Sequence, residues 1–188
     1  MIVYLHGFNS SPQSHKAQVL ARYLAERGLA ARFACPALPP LASAAVQTVE
    51  ALLTGRPVCF VGSSLGGFYA TYLAEKHGAR AVLINPAIEP HVGLRAYLGP
   101  QKNLYTGEPY ELTEAHLREW QRLCVPRITP GRYLLLVETG DEVLDYREAV
   151  RRYAGAEQVV IQGGDHSLRS FAEHLPRILA FAEAGDAG

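Results

Sequence analysis

A chain of 188 residues is the size of one domain, and at that length it buries about 70% of the surface that its unfolded form exposes. Its 18 Lys and Arg balance its 18 Asp and Glu, which excludes the basic footprint of a nucleic-acid binder or of a protein held on an acidic membrane. No run of about 18 apolar residues occurs, which excludes a conventional spanning helix and any insertion into a membrane through one.

The elements follow in chain order. Residues 1–5 (MIVYL) predict a buried strand, and it runs straight into His6, Gly7, Phe8, Asn9, Ser10, Ser11 and Pro12. This apolar run is only a strand long and no basic segment precedes it, so it does not read as a signal peptide. A helix over 14–27, a strand over 29–34 and a helix over 43–54 come next. Residues 57–62 predict another buried strand, 65–77 an amphipathic helix closed by Gly78 at C′, and 80–84 a further strand. The alternation then breaks over 86–131, a stretch rich in proline with Tyr97, Tyr105, Tyr110 and Trp120 and a single helix over 113–123. Strands at 132–138 and 157–162 and helices at 145–154 and 170–183 complete the pattern, with Pro176 expected to split or kink the last helix. Strands alternating with helices predict a single α/β domain over 1–188, a sheet of about six mostly parallel strands with helices on both faces. A connection as long as 86–131 is usually functional. Leaving the sheet at the edge where ligands bind, it reads as a small lid insertion whose apolar residues line a pocket. Trp120 and Tyr105 suit either packing of that lid or contact with a ligand.

Between the strand 57–62 and the helix 65–77 stand Gly62, Ser63, Ser64, Leu65 and Gly66, a G-x-S-x-G pattern. A serine at the apex of a sharp strand-to-helix turn has its hydroxyl forced into the open, with the helix N-terminal amides behind it. Ser64 is therefore the candidate nucleophile, and Gly62 and Gly66 remove side chains that would collide across the turn. A serine hydroxyl needs a general base and an orienting acid, and the chain must supply both beyond Ser64.

His166 is the candidate base. It follows Gly163, Gly164 and Asp165 just past a strand end, the edge at which ligands bind in open parallel sheets. His15, His77, His116 and His174 fall on helices or their ends, and His91 lies in the insertion. For the acid, Asp141, Glu142 and Asp145 compete. Asp141 is favoured because it follows Gly140 directly at a strand end, whereas Asp145 with Glu148 matches the N-cap and N3 positions of the following helix. The three carboxylates lack the spacing of a calcium loop and a nearby His or Cys pair, so no metal is expected. The amide of Leu65, just after the nucleophile, pairs in such sites with one from the loop after the first strand, here assigned to Phe8. His6 is expected to hold that loop by hydrogen bonding. Cys35, Cys59 and Cys124 are odd in number and lack metal spacing, which points to a reducing cytoplasm.

Taken together, HGFNSSP at the start, GSSLGGFYA, NPA, NLYTGE, TGDEVLDY and GGDHSL resemble the small bacterial YqiA-like esterase family of the α/β-hydrolase superfamily. The resemblance covers nearly the whole chain. It implies a minimal α/β-hydrolase fold and a serine esterase without metal or organic cofactor. Acting on a small-molecule acyl ester or thioester, it would use Ser64, Asp141 and His166. Acyl transfer through the same intermediate, and a ligand-binding protein without turnover, are the alternatives.

Overall fold

The computed structural model describes residues 1–184. Six strands form one sheet: β1 (Ile2–Leu5), β2 (Phe33–Ala34), β3 (Cys59–Ser63), β4 (Arg80–Ile84), β7 (Tyr133–Glu138) and β8 (Glu157–Ile161). Their order is β2-β1-β3-β4-β7-β8, and every pairing is parallel. The helices are α1 (His15–Ala25), α2 (Ala42–Glu50), α3 (Leu65–His77), α4 (Pro90–Gly93), α5 (Glu114–Arg122), α6 (Tyr146–Arg152) and α7 (Leu175–Glu183).

Alternation along the strands sorts the core into two layers, because successive side chains point to opposite faces of a sheet. Val3, Leu5, Phe60, Leu83, Leu135 and Val137 pack with α2, α3, α5 and α6 on one face. Ile2, Tyr4, Val61, Val82, Leu134 and Leu136 pack with α1 and α7 on the other. The central strands are buried on both faces, which is why their sequences read as unbroken apolar runs.

Two expectations need correction. The strand expected over 29–34 is reduced to Phe33–Ala34, since Ala30–Arg32 forms a 3₁₀ turn anchored by the Leu29 amide on Leu24 O. The helix expected over 170–183 is split, as Pro176 led one to expect, into a 3₁₀ turn at Phe171–His174 and α7, with Pro176 in the first turn of α7, where a missing N–H costs nothing. The 86–131 stretch holds more than one helix. It begins with the single-turn α4 and a 3₁₀ turn at Leu94–Tyr97, then forms an antiparallel hairpin of β5 (Gly99–Lys102) and β6 (Pro109–Leu112) before α5. Pro100 and Pro109 lie within these strands; on an isolated two-stranded ribbon they occupy positions with no further ladder to serve.

The chain runs from β1 outward to β2, returns to β3 on the other side of β1, and proceeds away through β4, β7 and β8. The switch point of the sheet is thus between β1 and β3, the place where open α/β sheets bind ligands. Both strands end there in loops that approach without intervening side chains. A Cβ on Gly66 would lie 1.9 Å from Leu5 O, and one on Gly62 would lie 2.2 Å from Gly66 O.

Neither contact can relax, because both partners are backbone. Gly66→Ala should therefore cost about 3 kcal/mol or more, at the upper end of overpacking. Gly93→Ala, with nothing within 4 Å of the added carbon, should leave stability within about 1 kcal/mol. Thermal unfolding of the two variants checks the contrast.

Candidate active site

Ser64 sits between β3 and α3 with φ 54° and ψ −121°, a left-handed backbone that costs a serine about 1–3 kcal/mol and persists only where its surroundings impose it. They do so here through three hydrogen bonds. The Ser64 amide donates to Ile84 O (3.0 Å), and its carbonyl accepts from Gly67 N (2.9 Å) and Ala87 N (3.0 Å).

The side chains singled out in the sequence come together at this turn. His166 Nε2 lies 3.1 Å from Ser64 Oγ, and His166 Nδ1 lies 2.8 Å from Asp141 Oδ2. The other oxygen of Asp141 accepts from the amides of Val143 and Leu144, both at 2.8 Å. Burial alone would raise the Asp141 pKa. The hydrogen bonds from His166, Leu144 N and Val143 N outweigh that effect and hold the carboxyl below its usual range. An ionised Asp141 keeps the ring proton on Nδ1 and leaves Nε2 free to accept the Ser64 hydroxyl proton. The two competing carboxylates do other work. Glu142 Oε2 accepts from the His166 amide at 3.0 Å, and Asp145 caps α6 by accepting from Arg147 N at 3.0 Å.

Two residues that sequence reasoning missed fix the loop carrying His166. Glu138, at the end of β7, is 1% exposed. It accepts from the amides of Asp165, Arg169 and Ser170 and from the Ser170 hydroxyl. Burial raises its pKa, but these donors together bring it below the ordinary value. Asn85, after β4, donates to the carbonyls of Asp165 and His166 and accepts from the Glu138 amide. Lys16 adds a hydrogen bond to Ser167 O at 2.8 Å. The available signals were a carboxylate closing an otherwise apolar strand, which once buried needs several donors, and the asparagine of the NPA motif.

Phe8 and Leu65 line the cavity at Ser64, and among the described residues no side-chain or loop hydrogen bond occupies the amide of either. His6 holds the first of these loops, as expected: its Nε2 accepts from Leu38 N at 3.0 Å, and its Nδ1 lies 3.1 Å from Gly7 O. An accepting Nε2 requires a neutral ring, and burial pushes the His6 pKa down. Elsewhere, His77 pairs with Glu50, and His116 accepts from the Thr113 amide at the start of α5. His91 lies 3.7 Å from Cys124 Sγ. Trp120 is buried and donates to Tyr69 OH at 2.7 Å, so it packs the insertion onto the body. Tyr105, half exposed, borders the cavity.

That cavity encloses about 980 Å³ over Ser64, Leu65, Phe8 and His166, a size suited to a small molecule. Its walls come from three parts of the chain: the insertion, with Ile88, Leu94 and Tyr97; the segments after β7 and β8, with Leu144, Leu168 and Phe171; and the loop after β1, with Phe8 and Ser10.

A parallel sheet of this order, with a serine on the sharp turn after a central strand, is the α/β-hydrolase fold. Mouse alpha/beta hydrolase domain-containing protein 10 shares it at 18% identity and a TM-score of 0.72, with 98% of this chain and 89% of that one aligned. The esterase domain of a Rhodothermus marinus protein shares it at 18% identity and a TM-score of 0.68, with 97% and 86% aligned. Within that fold the chain belongs to UPF0227, an uncharacterised protein family whose model matches residues 1–183, in agreement with the YqiA-like resemblance of its motifs. The UPF0227 protein of Pectobacterium carotovorum is 26% identical over 200 residues, which span 98% of this chain and all of that protein.

Two outcomes follow from the buried polar groups. Because the folded-state pKa of His6 is lowered, its contribution to stability is complete above the ordinary value of 6.5 and is lost as pH falls through the folded-state value. The gap in melting temperature between wild type and His6→Gln should therefore shrink on acidification below pH 6.5. Glu138→Gln puts an NH₂ donor where the site presents donors, and should lower the unfolding free energy by about 2 kcal/mol or more, read from urea denaturation at neutral pH.

Proposed function

We propose that the protein is a serine carboxylesterase that cleaves acyl esters through an acyl-enzyme on Ser64. The observation that carries this reading is the unbroken chain from Ser64 Oγ to His166 at 3.1 Å and from His166 to Asp141 at 2.8 Å, opening into a cavity with mostly apolar walls. The hydrolase fold shared with the Rhodothermus marinus esterase domain supports it.

His166 Nε2 removes the hydroxyl proton as Ser64 Oγ attacks the ester carbonyl. Asp141 holds the imidazole by Nδ1 and stabilises the charge that it gains. The amides of Phe8 and Leu65 receive the oxyanion, each such donor being worth about 3–4 kcal/mol in the transition state. Collapse of the tetrahedral adduct breaks the bond to the alcohol, which leaves with the proton from His166. Water, deprotonated in turn by His166, then releases the carboxylic acid. Residues 86–131 serve as the lid, holding the acyl group over Ser64. An acyl thioester would pass through the same steps.

The test is hydrolysis of p-nitrophenyl esters of increasing acyl length, beside an acyl thioester, with fluorophosphonate labelling. Ser64→Ala and His166→Ala should each lower kcat by several orders of magnitude, about 10⁴ or more, and the double variant should be little worse than either, since the groups act as a unit. Asp141→Asn should also lose turnover, while Asp145→Asn should affect mainly the stability of α6. Wild-type kcat in Ser64→Ala would refute the mechanism.

A further inference from the structure

The loop after β1 is tied to the body of the protein at its start, braced by local turns at its far end and held in its middle by the hairpin. His6 ties the start to Leu38. At the far end, Ser11 bonds with Gln13 and accepts from the Ser14 amide. Between them, Asn9 has φ 52°, and every hydrogen bond that the described structure gives to Asn9 and Ser10 goes to residues 101–110. Asn9 Oδ1 accepts from Tyr110 OH at 2.6 Å, and Asn9 Nδ2 donates to Gln101 Oε1 at 3.0 Å. The Asn9 carbonyl accepts from Leu104 N at 2.9 Å, and Asn103 Nδ2 donates to Ser10 O at 2.8 Å. Asn103 is itself locked, its Oδ1 accepting from the amides of Tyr105 and Thr106. Phe8, the residue before Asn9, packs its ring edge-on to Tyr97 in the segment ahead of the hairpin.

An asparagine tolerates a left-handed backbone, but nothing local selects that state over the ordinary ones. Here both polar atoms of the side chain are engaged by β5 and β6, and the φ of Asn9 sets the direction of the peptide that carries the Phe8 carbonyl and hence the pose of Phe8. We propose that the β5–β6 hairpin positions the Phe8 amide for the oxyanion, with Asn9 and Tyr110 as positioning residues that never touch the substrate. The inference rests on the esterase reading of Ser64. It also assigns a role to the asparagine of the NLYTGE motif, which ester chemistry itself does not require.

Tyr110→Phe removes one hydroxyl and keeps the ring; Asn9→Gly keeps the backbone freedom and removes both side-chain bonds. Each should lower kcat on a p-nitrophenyl ester by about tenfold, the scale of one lost hydrogen bond to the oxyanion loop. KM should stay within about twofold of wild type, as expected when only the transition state is affected. Inhibition by phenylboronic acid, whose tetrahedral adduct on Ser64 places an oxygen at the oxyanion position, should weaken by the same factor. The double variant should be no worse than Asn9→Gly, because both act through one link. Wild-type kcat in both folded variants, or a loss carried by KM with unchanged boronate affinity, would overturn the proposal while leaving the esterase reading intact. Absence of Ser64-dependent turnover and labelling in the wild type would overturn both.

Discussion

A methyl group on Gly66 would meet the Leu5 carbonyl at 1.9 Å, so α3 rests on β1 backbone against backbone. This contact brings the first turn of the helix beside the loop that leaves β1, so that Leu65 and Phe8 border the same cavity as Ser64. It also closes the turn so tightly that Ser64 must take its left-handed conformation, pinned by Ile84 O on one side and by the amides of Gly67 and Ala87 on the other. Side-chain packing alone would leave such a turn free to relax; close backbone approach with satisfied hydrogen bonds does not.

The two loops that meet at Ser64 are stabilised differently. The loop with His166 is held from inside by a buried carboxylate with four donors and by Asn85. Charge-assisted hydrogen bonds of this kind are individually strong, and they offset the cost of burying Glu138. An imidazole fixed in this way needs no reorganisation when a proton moves. The loop with Phe8 has no buried anchor in its middle and depends on the hairpin that lies over it.

The strand and helix order was legible because each central strand is apolar on both faces and helices such as α3, closed by Gly78, and α6, opened by Asp145, carry their own punctuation. Ser64, His166 and Asp141 were legible as a set because each follows a strand end beside glycine, and parallel strands gather such ends on one edge. The hairpin was not, since Pro100 and Pro109 read as loop when no partner strand is in view. Nor were Glu138 and Asn85: a polar residue closing an apolar run looks like the solvated end of a strand, and only the fold, by wrapping residues 165–170 around them, turns them into buried hubs. Asn9 escaped notice because its side-chain partners are 92 and 101 residues away in sequence.

Strands β4 and β7 are neighbours and parallel, so a chain leaving one at the site edge must return to the opposite edge before entering the other. Residues 86–131 make that return, and with α5 they serve as the crossover that any parallel pair demands. A crossover needs only about a dozen residues, and this one spends the excess on the walls of the cavity. The pocket can therefore be enlarged, narrowed or recast by changing the surplus, whereas excising the segment whole would sever the sheet. Diversity of ligand and integrity of topology are here written in one stretch of chain, with the variable share confined to what lies beyond the minimal return path.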